Sequence, residues 1–344
     1  MCDSKAANNS SLITPKICSK IIESQGASAG TKFLTFKLIG IMFGCSRFCF
    51  STFEDSAMET FLKSERQVKY MEADLYIPGN ILFVDGNSLK TTDGTRTTII
   101  TGNVSTSGYV EGTASEALYD SITSFTQISP TLVVIADNGN DCLRLLDRTT
   151  ANSSQYVGYC YPGGGMGGPM SYPLAITQNL KSPDMIFVTD DYAIHQVNSS
   201  NNPPDVSQAF DVNAFYLTQD PQTGDLYTTT DTRVNKISYL SGTAVKLSGS
   251  FNGNRDGDFD FARFETLQGI IFLHDKILVA DEGNNRLRVL DLNTNQTSSI
   301  CSGERGHKDG NLSVCSLAEP YSLMLHEGEI YVGENKRIRK IKGL

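Results

Sequence analysis

Asn252, Asn254 and Asp256 stand at the first, third and fifth places of the run NGNRDG, with Gly257 next and Asp258 after it. Oxygen ligands at alternate positions ahead of a glycine are how a loop wraps calcium. The pattern then requires a bidentate glutamate at the twelfth place, where this chain has Arg263. Asn252, Asn254, Asp256 and Asp258 are therefore a thin metal candidate, and calcium is the one cofactor they suggest. Zinc needs three or four converging His, Cys or acidic ligands, and the chain has 4 His. His274 and His326 occupy matching turns in FLHD and MLHEG, His195 falls in a strand-like run and His307 in a loop, so separate segments hold them apart. The glycine-rich run PGGGMGGP, 162 to 169, lacks the Lys-Ser/Thr ending of a phosphate loop and the strand-to-helix setting of a dinucleotide fingerprint. It reads as a linker. No Ser-His-Asp or Cys-His set presents itself, and no catalytic residue is assigned.

The segments that carry these residues repeat. TLVVIADNGNDCLRLLD at 131 to 147 and KILVADEGNNRLRVLD at 276 to 291 are the same phrase: an apolar run, Ala-Asp, a Gly/Asn turn, then an alternating run ending in Asp. Period-two alternation about such a turn is a β-hairpin. Weaker copies begin at Asn80, Asp184, Asp225 and Gly328, which makes six. With Asp85, Asp137, Asp190, Asp231, Asp281 and Gly333 as matched anchors, the spacings are 52, 53, 41, 50 and 52 residues. Runs such as SITSFTQIS precede the hairpins and runs such as QTSSICSG follow them. Four strands per unit at this period is the pattern of a propeller blade. The links also repeat, as GYVEG, GNRDG and GHKDG. Asp137 and Asp281 sit where a buried strand meets its turn, within reach of Arg144 and Arg288, and are assigned a structural role.

The phrase VADxGNxRLRVLD with an upstream GxxDGxxxxAxF resembles the NHL-repeat family of β-propellers over roughly residues 72 to 344. The likeness is strong in the second and fifth units, fair in the sixth and weak in the third and fourth. The histidine of the family's name is missing: the chain reads Asn140, Asp141, Cys142, Leu143 in one copy and Asn284, Asn285, Arg286, Leu287 in the other. The resemblance implies an all-β, six-bladed propeller whose commonest role is interaction scaffolding. The sixth unit runs out at RIRKIKGL before its fourth strand, and ERQVKYMEA, 65 to 73, is placed to supply that strand and close the ring.

The chain divides into an N-terminal extension over 1–60, partly disordered, and a propeller over 61–344. The hydrophobic stretch 33–53 has the feel of a signal-peptide core, yet it lies deep in the chain, and the nine residues between Lys37 and Arg47 are too few to span a bilayer. Packing against the propeller is its other reading. No transmembrane span is expected.

Cysteine placement bears on the compartment. If the hairpin turns near Ala151, Cys142 and Cys160 fall opposite one another, within disulfide range. Cys301 and Cys315 close a loop of about fifteen residues across GHKDG. Two such local pairs argue for an extracellular or secretory-lumen setting, with buried thiols in a cytoplasmic protein as the alternative. Cys2, Cys18, Cys45 and Cys49 lie outside the repeats and stay unpaired in this reading.

A formal net charge of -9 is the wrong long-range field for a nucleic-acid partner. The only basic run is NKRIRKIKG near the C-terminus, which reads as a charge-protected edge strand. The function expected is thus a protein- or glycan-binding module acting through propeller loops. A metal-dependent hydrolase or lyase of the six-bladed kind is the alternative, and an RNA-binding propeller the second.

Overall fold

In the computed structural model, residues 56–160, 168–201 and 203–342 are described. The extension to residue 55, its hydrophobic stretch, its four cysteines and most of the glycine-rich loop lie outside them. All described residues belong to one unit, Phe50–Leu344.

Alternating and β-branched runs become strands, as their period dictates. β1 (Ala57–Ala73), β2 (Ile81–Asp85), β3 (Asn87–Thr92) and β4 (Thr97–Asn103) open the chain. β5 (Gly112–Thr113), β6 (Ile122–Gln127), β7 (Leu132–Asp137), β8 (Cys142–Asp147) and β9 (Asn152–Gly158) come after them. Next are β10 (Ile176–Gln178), β11 (Met185–Thr189), β12 (Ile194–Asn198) and β13 (Asp205–Phe210), then β14 (Leu217–Gln219), β15 (Leu226–Thr229), β16 (Val234–Ile237) and β17 (Ala244–Ser248). The last are β18 (Gly257–Asp258), β19 (Leu267–Leu273), β20 (Lys276–Asp281), β21 (Arg286–Asp291), β22 (Gln296–Ile300), β23 (Gly310–Asn311), β24 (Ser322–His326) and β25 (Glu329–Lys342). The described residues hold no α-helix, only short 3-10 turns at Asn138–Asn140 and Glu282–Asn284.

β6 to β9, β10 to β13, β14 to β17 and β19 to β22 each form an antiparallel meander, with β5 and β18 added at two outer edges. The fifth sheet is larger, in the order β24-β25-β1-β2-β3-β4, with β23 beside β1. β1 serves both of its halves: Ala57 to Lys63 pair with β25, and Val68 to Ala73 pair with β2. The strand that meets the C-terminal hairpin is therefore mainly Ala57–Lys63, upstream of the expected 65–73; of the latter segment Gln67 pairs with Asn335, and Val68 to Ala73 start the next meander. A strand of this length can do both because its register shifts after Thr60 and Lys63 on one side and after Val68 on the other. The basic run is also not an edge, since β1 covers Arg337 to Lys342.

The first strands of the meanders touch in turn: β1 with β6, β6 with β10, β10 with β14, β14 with β19, β19 with β24, and β24 with β1. This is a β-propeller-like arrangement. It explains the burial gradient. β2, β7 and β20 sit between neighbouring sheets and are buried on both faces, so they read as unbroken apolar runs, while the outer strands β4, β13 and β17 are largely exposed. Each gap between sheets holds its own core: Leu82, Tyr119 and Phe125 in one, Val134, Leu143 and Ile186 in the next, Leu278, Leu287 and Val332 in another.

Candidate functional site

Three of the hairpins between a second and a third strand carry one recurring device. Asp137, at the end of β7, accepts from Arg144 Nη1 at 3.2 Å, and Asp281, at the end of β20, accepts from Arg288 Nη1 at 2.7 Å. All four side chains are fully buried. Each arginine also reaches the link loop that precedes its sheet. Arg144 donates to the carbonyls of Leu118 and Val110, and Arg288 to those of Arg263 and Arg255. Arg339 does the same with Ser316 and Lys308, its acid partner being Glu334 at 3.0 Å. The repeated link motif and the repeated arginine are thus one clamp. The turn asparagines fasten it further, Asn140 Nδ2 donating to Gly108 O at 3.0 Å and Asn284 Nδ2 to Gly253 O at 2.9 Å.

This arrangement also engages the loop with the metal-like spacing. Asp256 accepts from Arg288 Nε at 3.1 Å, from Arg288 Nη2 at 2.7 Å and from Ser299 at 3.0 Å, so its charge is spent on a guanidinium that would repel a cation. Asn252 bridges to Phe264, and Asp258 caps the amide of Asp260 at 3.1 Å. Among the described residues no three His, Cys, Asp or Glu side chains gather to hold a metal. His307 bonds Glu334 at 2.9 Å, His274 is an exposed turn residue and His326 packs near Tyr331.

Strand pairing corrects two matched anchors. The clamp acid of the last hairpin is Glu334, one place after Gly333. In the fourth hairpin Thr230 closes the turn onto Arg233 where Asp190 closes onto Ala193, so Asp231 lies one place past the equivalent position. Two further pairs fit the series: Asp85 in an ion pair with Lys90 at 2.8 Å, and Asp190 hydrogen-bonded to His195 at 2.7 Å. The acid-to-base offset is five residues here and seven in the two strongest copies, which hid them in the sequence.

Both expected disulfides form. Cys301 and Cys315 have Cα atoms 4.7 Å apart, and Cys142 and Cys160 5.1 Å apart. The hairpin turns between Thr149 and Thr150, which pairs Cys142 with Gly158, so Cys160 reaches its partner from just beyond the strand and not from directly across.

The third hairpin keeps the anchor acid without an arginine. Asp190 receives the amide of Ser171 at 3.1 Å, as Asp137 receives that of Asp120 and Asp281 that of Glu265. The base of this hairpin is a histidine, shorter than arginine. A cavity of about 290 Å³ opens there, lined by Ser171, Tyr192, His195, Gln208 and Asp211. Burial alone would raise the Asp190 carboxyl, but His195 and the amides of Tyr192, Ala193 and Ser171 outweigh it and hold the value at about 2. The carboxylate is therefore charged, and His195 Nε2 donates to it, while Nδ1 has no hydrogen bond among the described residues. Asp211 has no ion-pair or hydrogen-bond partner among them either. Tyr192 is 72% exposed at the rim. None of these residues except Asp190 and His195 drew notice in the sequence, and those two only as an anchor and a strand residue.

A second cavity, of about 110 Å³, lies where the first strands meet, lined by Tyr70, Tyr216, Thr218 and Ser322 among others. Tyr216 and Tyr321 stack edge-on with ring centres 5.8 Å apart, and burial pushes both hydroxyls up. It has room for a few waters at most.

The fold and these sites define an all-β, propeller-like protein with two disulfides and no catalytic constellation among the described residues. No family profile matches the chain, and no curated protein matches it in sequence. Solved structures do resemble it. An auxiliary nutrient binding protein from Bacteroides ovatus superposes with a TM-score of 0.63 at 14% identity, covering 84% of this chain and 76% of that one. One from Bacteroides thetaiotaomicron gives 0.63 at 13%, with the same coverage of 84% and 76%. A streptogramin B lyase gives 0.51 at 14%, covering 83% of this chain and 97% of the lyase. At these identities the likeness is one of fold. No helix among the described residues is long and apolar enough to cross a membrane.

Proposed function

We propose that the chain is a six-bladed propeller of the NHL type, with its blades over 61–344, the strand Ala57–Lys63 as a closing addition and the residues before it as an extension. It works as an extracellular binding module that holds a protein or glycan ligand with the loops at one end. The blade count rests on six first strands that touch in a closed order, with the larger sheet read as two blades that share β1. The setting rests on the two disulfides, which persist only under oxidising conditions. The nutrient-binding neighbours are in keeping with a binding role.

One observation carries the functional reading. The cavity beside His195 is open, polar and rimmed by an exposed tyrosine, and it has neither a nucleophile paired with a base nor a metal cluster. It lies at the end that carries the turns 138–141, 190–193 and 282–285. The test is to probe the immobilised protein with a displayed-peptide library and a printed glycan array. Ligands should be retained, lost on Tyr192→Ala and kept on Leu240→Ser, a 92% exposed residue at the turn between β16 and β17. One calcium or zinc per chain surviving dialysis, together with turnover of a retained ligand, would replace this reading with the lyase-like one.

A further inference from the structure

Three hairpins show what normally stands where the His195 cavity opens. Arg144, Arg288 and Arg339 each lay a guanidinium between an anchor acid and the carbonyls of the link loop, and each is 0% exposed. Two of them also lie over an aromatic ring, Arg144 4.9 Å from the centre of Tyr119 and Arg288 4.7 Å from that of Phe264. The third hairpin keeps the anchor acid and its bond from the link amide, yet lacks the guanidinium. What it offers instead is the carboxylate of Asp211 and the side-chain carbonyl of Gln208 as acceptors, with the His195 ring behind them and Tyr192 as an exposed ring. Among the described residues no lysine or arginine lines the space, and Asp191 adds charge next to it. Burial, with the neighbouring charges of Asp190 and Asp141, pushes the Asp191 carboxyl up.

We propose that this cavity receives an arginine side chain from a partner polypeptide, which completes from outside the clamp that Arg144, Arg288 and Arg339 complete from inside. This rests on the binding-module reading and selects a protein partner over a glycan. The reason is the sign and kind of the lining. A row of acceptors with net negative charge suits a planar cation that only donates, and a ring at the rim suits its face. A neutral sugar would present donors and acceptors alike. At about 290 Å³ the cavity is at the lower limit for a small-molecule site. One side chain fits it better than an oligosaccharide. The chain's net charge of -9 draws a basic partner toward it at long range.

The probe is a short peptide with one central arginine, titrated onto the full-length protein by calorimetry, with the same peptide carrying citrulline or lysine as controls. Arginine should bind, citrulline should not, and lysine should bind more weakly. Asp211→Asn should weaken the arginine peptide about ten- to hundredfold, the range for losing one charged hydrogen bond. His195→Arg should fill the cavity from within, abolish peptide binding and raise the thermal midpoint. If that variant does not fold, Asp211→Asn and the shift of the His195 ring nitrogens in NMR on adding peptide decide the matter. Equal binding of citrulline and arginine, or binding unchanged by Asp211→Asn, would overturn the proposal. So would a neutral oligosaccharide that shifts the His195 resonances when the peptide does not. If library ligands bind elsewhere and ignore His195→Arg, the arginine site fails while the binding-module reading stands. If nothing is retained by either library, that reading fails too.

Discussion

A buried arginine that joins a hairpin to a link loop is costly to remove, because its acid partner then stays buried and uncompensated. Arg288→Ala should destabilise the fold by about 3–5 kcal/mol in a urea titration, and Arg288→Met with Asp281→Asn should recover much of that loss. A single variant as stable as the parent would show that the clamp is ornamental. The arginines were legible in the sequence because a whole phrase repeats around them. The vacant clamp was not, since its emptiness depends on how far a histidine reaches toward a loop 24 residues upstream at Ser171, a distance no local pattern expresses. A second residue invites a pH test. Burial, opposed by the bonds from Gln127, raises the Glu72 carboxyl to about 7, although some solvent reaches this half-buried group. In the unfolded chain the value is about 4.3. The folded state therefore holds its proton more tightly between these values, and this contribution is full below about 4.3 and lost as the pH rises through about 7. Glu72→Gln should match the parent near pH 4.5 and exceed it in thermal midpoint at pH 8. A gain of equal size at both values would remove Glu72 as the cause.

Hairpins, the next scale, were the most legible part of the chain, since period-two alternation and Gly/Asn turns report strands directly. The turn glycines answer to space and not only to backbone freedom: a Cβ on Gly283 would stand 2.4 Å from Glu265 Cγ and 2.8 Å from its carbonyl oxygen. Asn285, with φ 51, supplies the left-handed residue that ends the 3-10 turn. Register was less legible than the strands themselves. The hairpin of β8 and β9 turns between Thr149 and Thr150 and not at Ala151, which sets Cys142 opposite Gly158 and not Cys160, and the shifts in β1 spread its pairing with β25 over Ala57 to Gln67. Bulges of this kind leave no mark in an alternation pattern. The disulfides tolerate the shift and still tie the ends of two hairpins to the loops beyond them. Replacing Cys301 and Cys315 with serine opens a loop of 14 residues' separation and should cost about 3 kcal/mol in the chain-entropy account. A denaturant midpoint unchanged by the double variant, or by reduction of the parent, would show that the bridge adds nothing.

At the scale of the whole molecule, the first and last described strands belong to one sheet. Ala57 to Lys63 lie along Lys342 to Arg337, and Met58 is 1% exposed within the same core as Ile341, Val332 and Leu278. Meanders that each bury their faces only against neighbours gain their stability from completing the circuit, so a gap at one seam exposes two faces and a strand edge at once. The pairing also explains how a C-terminal run with five positive charges is tolerated in an acidic protein. Arg339 is held by Glu334 and Asp309, Lys340 by Glu329, and Lys342 by Glu59, which leaves little positive charge for a phosphate backbone. Deleting residues 57–64 should therefore lower the thermal midpoint far more than deleting 1–30, and should make β25 accessible to hydrogen exchange along the face that β1 covers. The two truncations separate closure from a general penalty for shortening the chain. Equal midpoints, with exchange in β25 unaltered, would mean that the seam carries no stability and that the circuit is held by its other gaps alone.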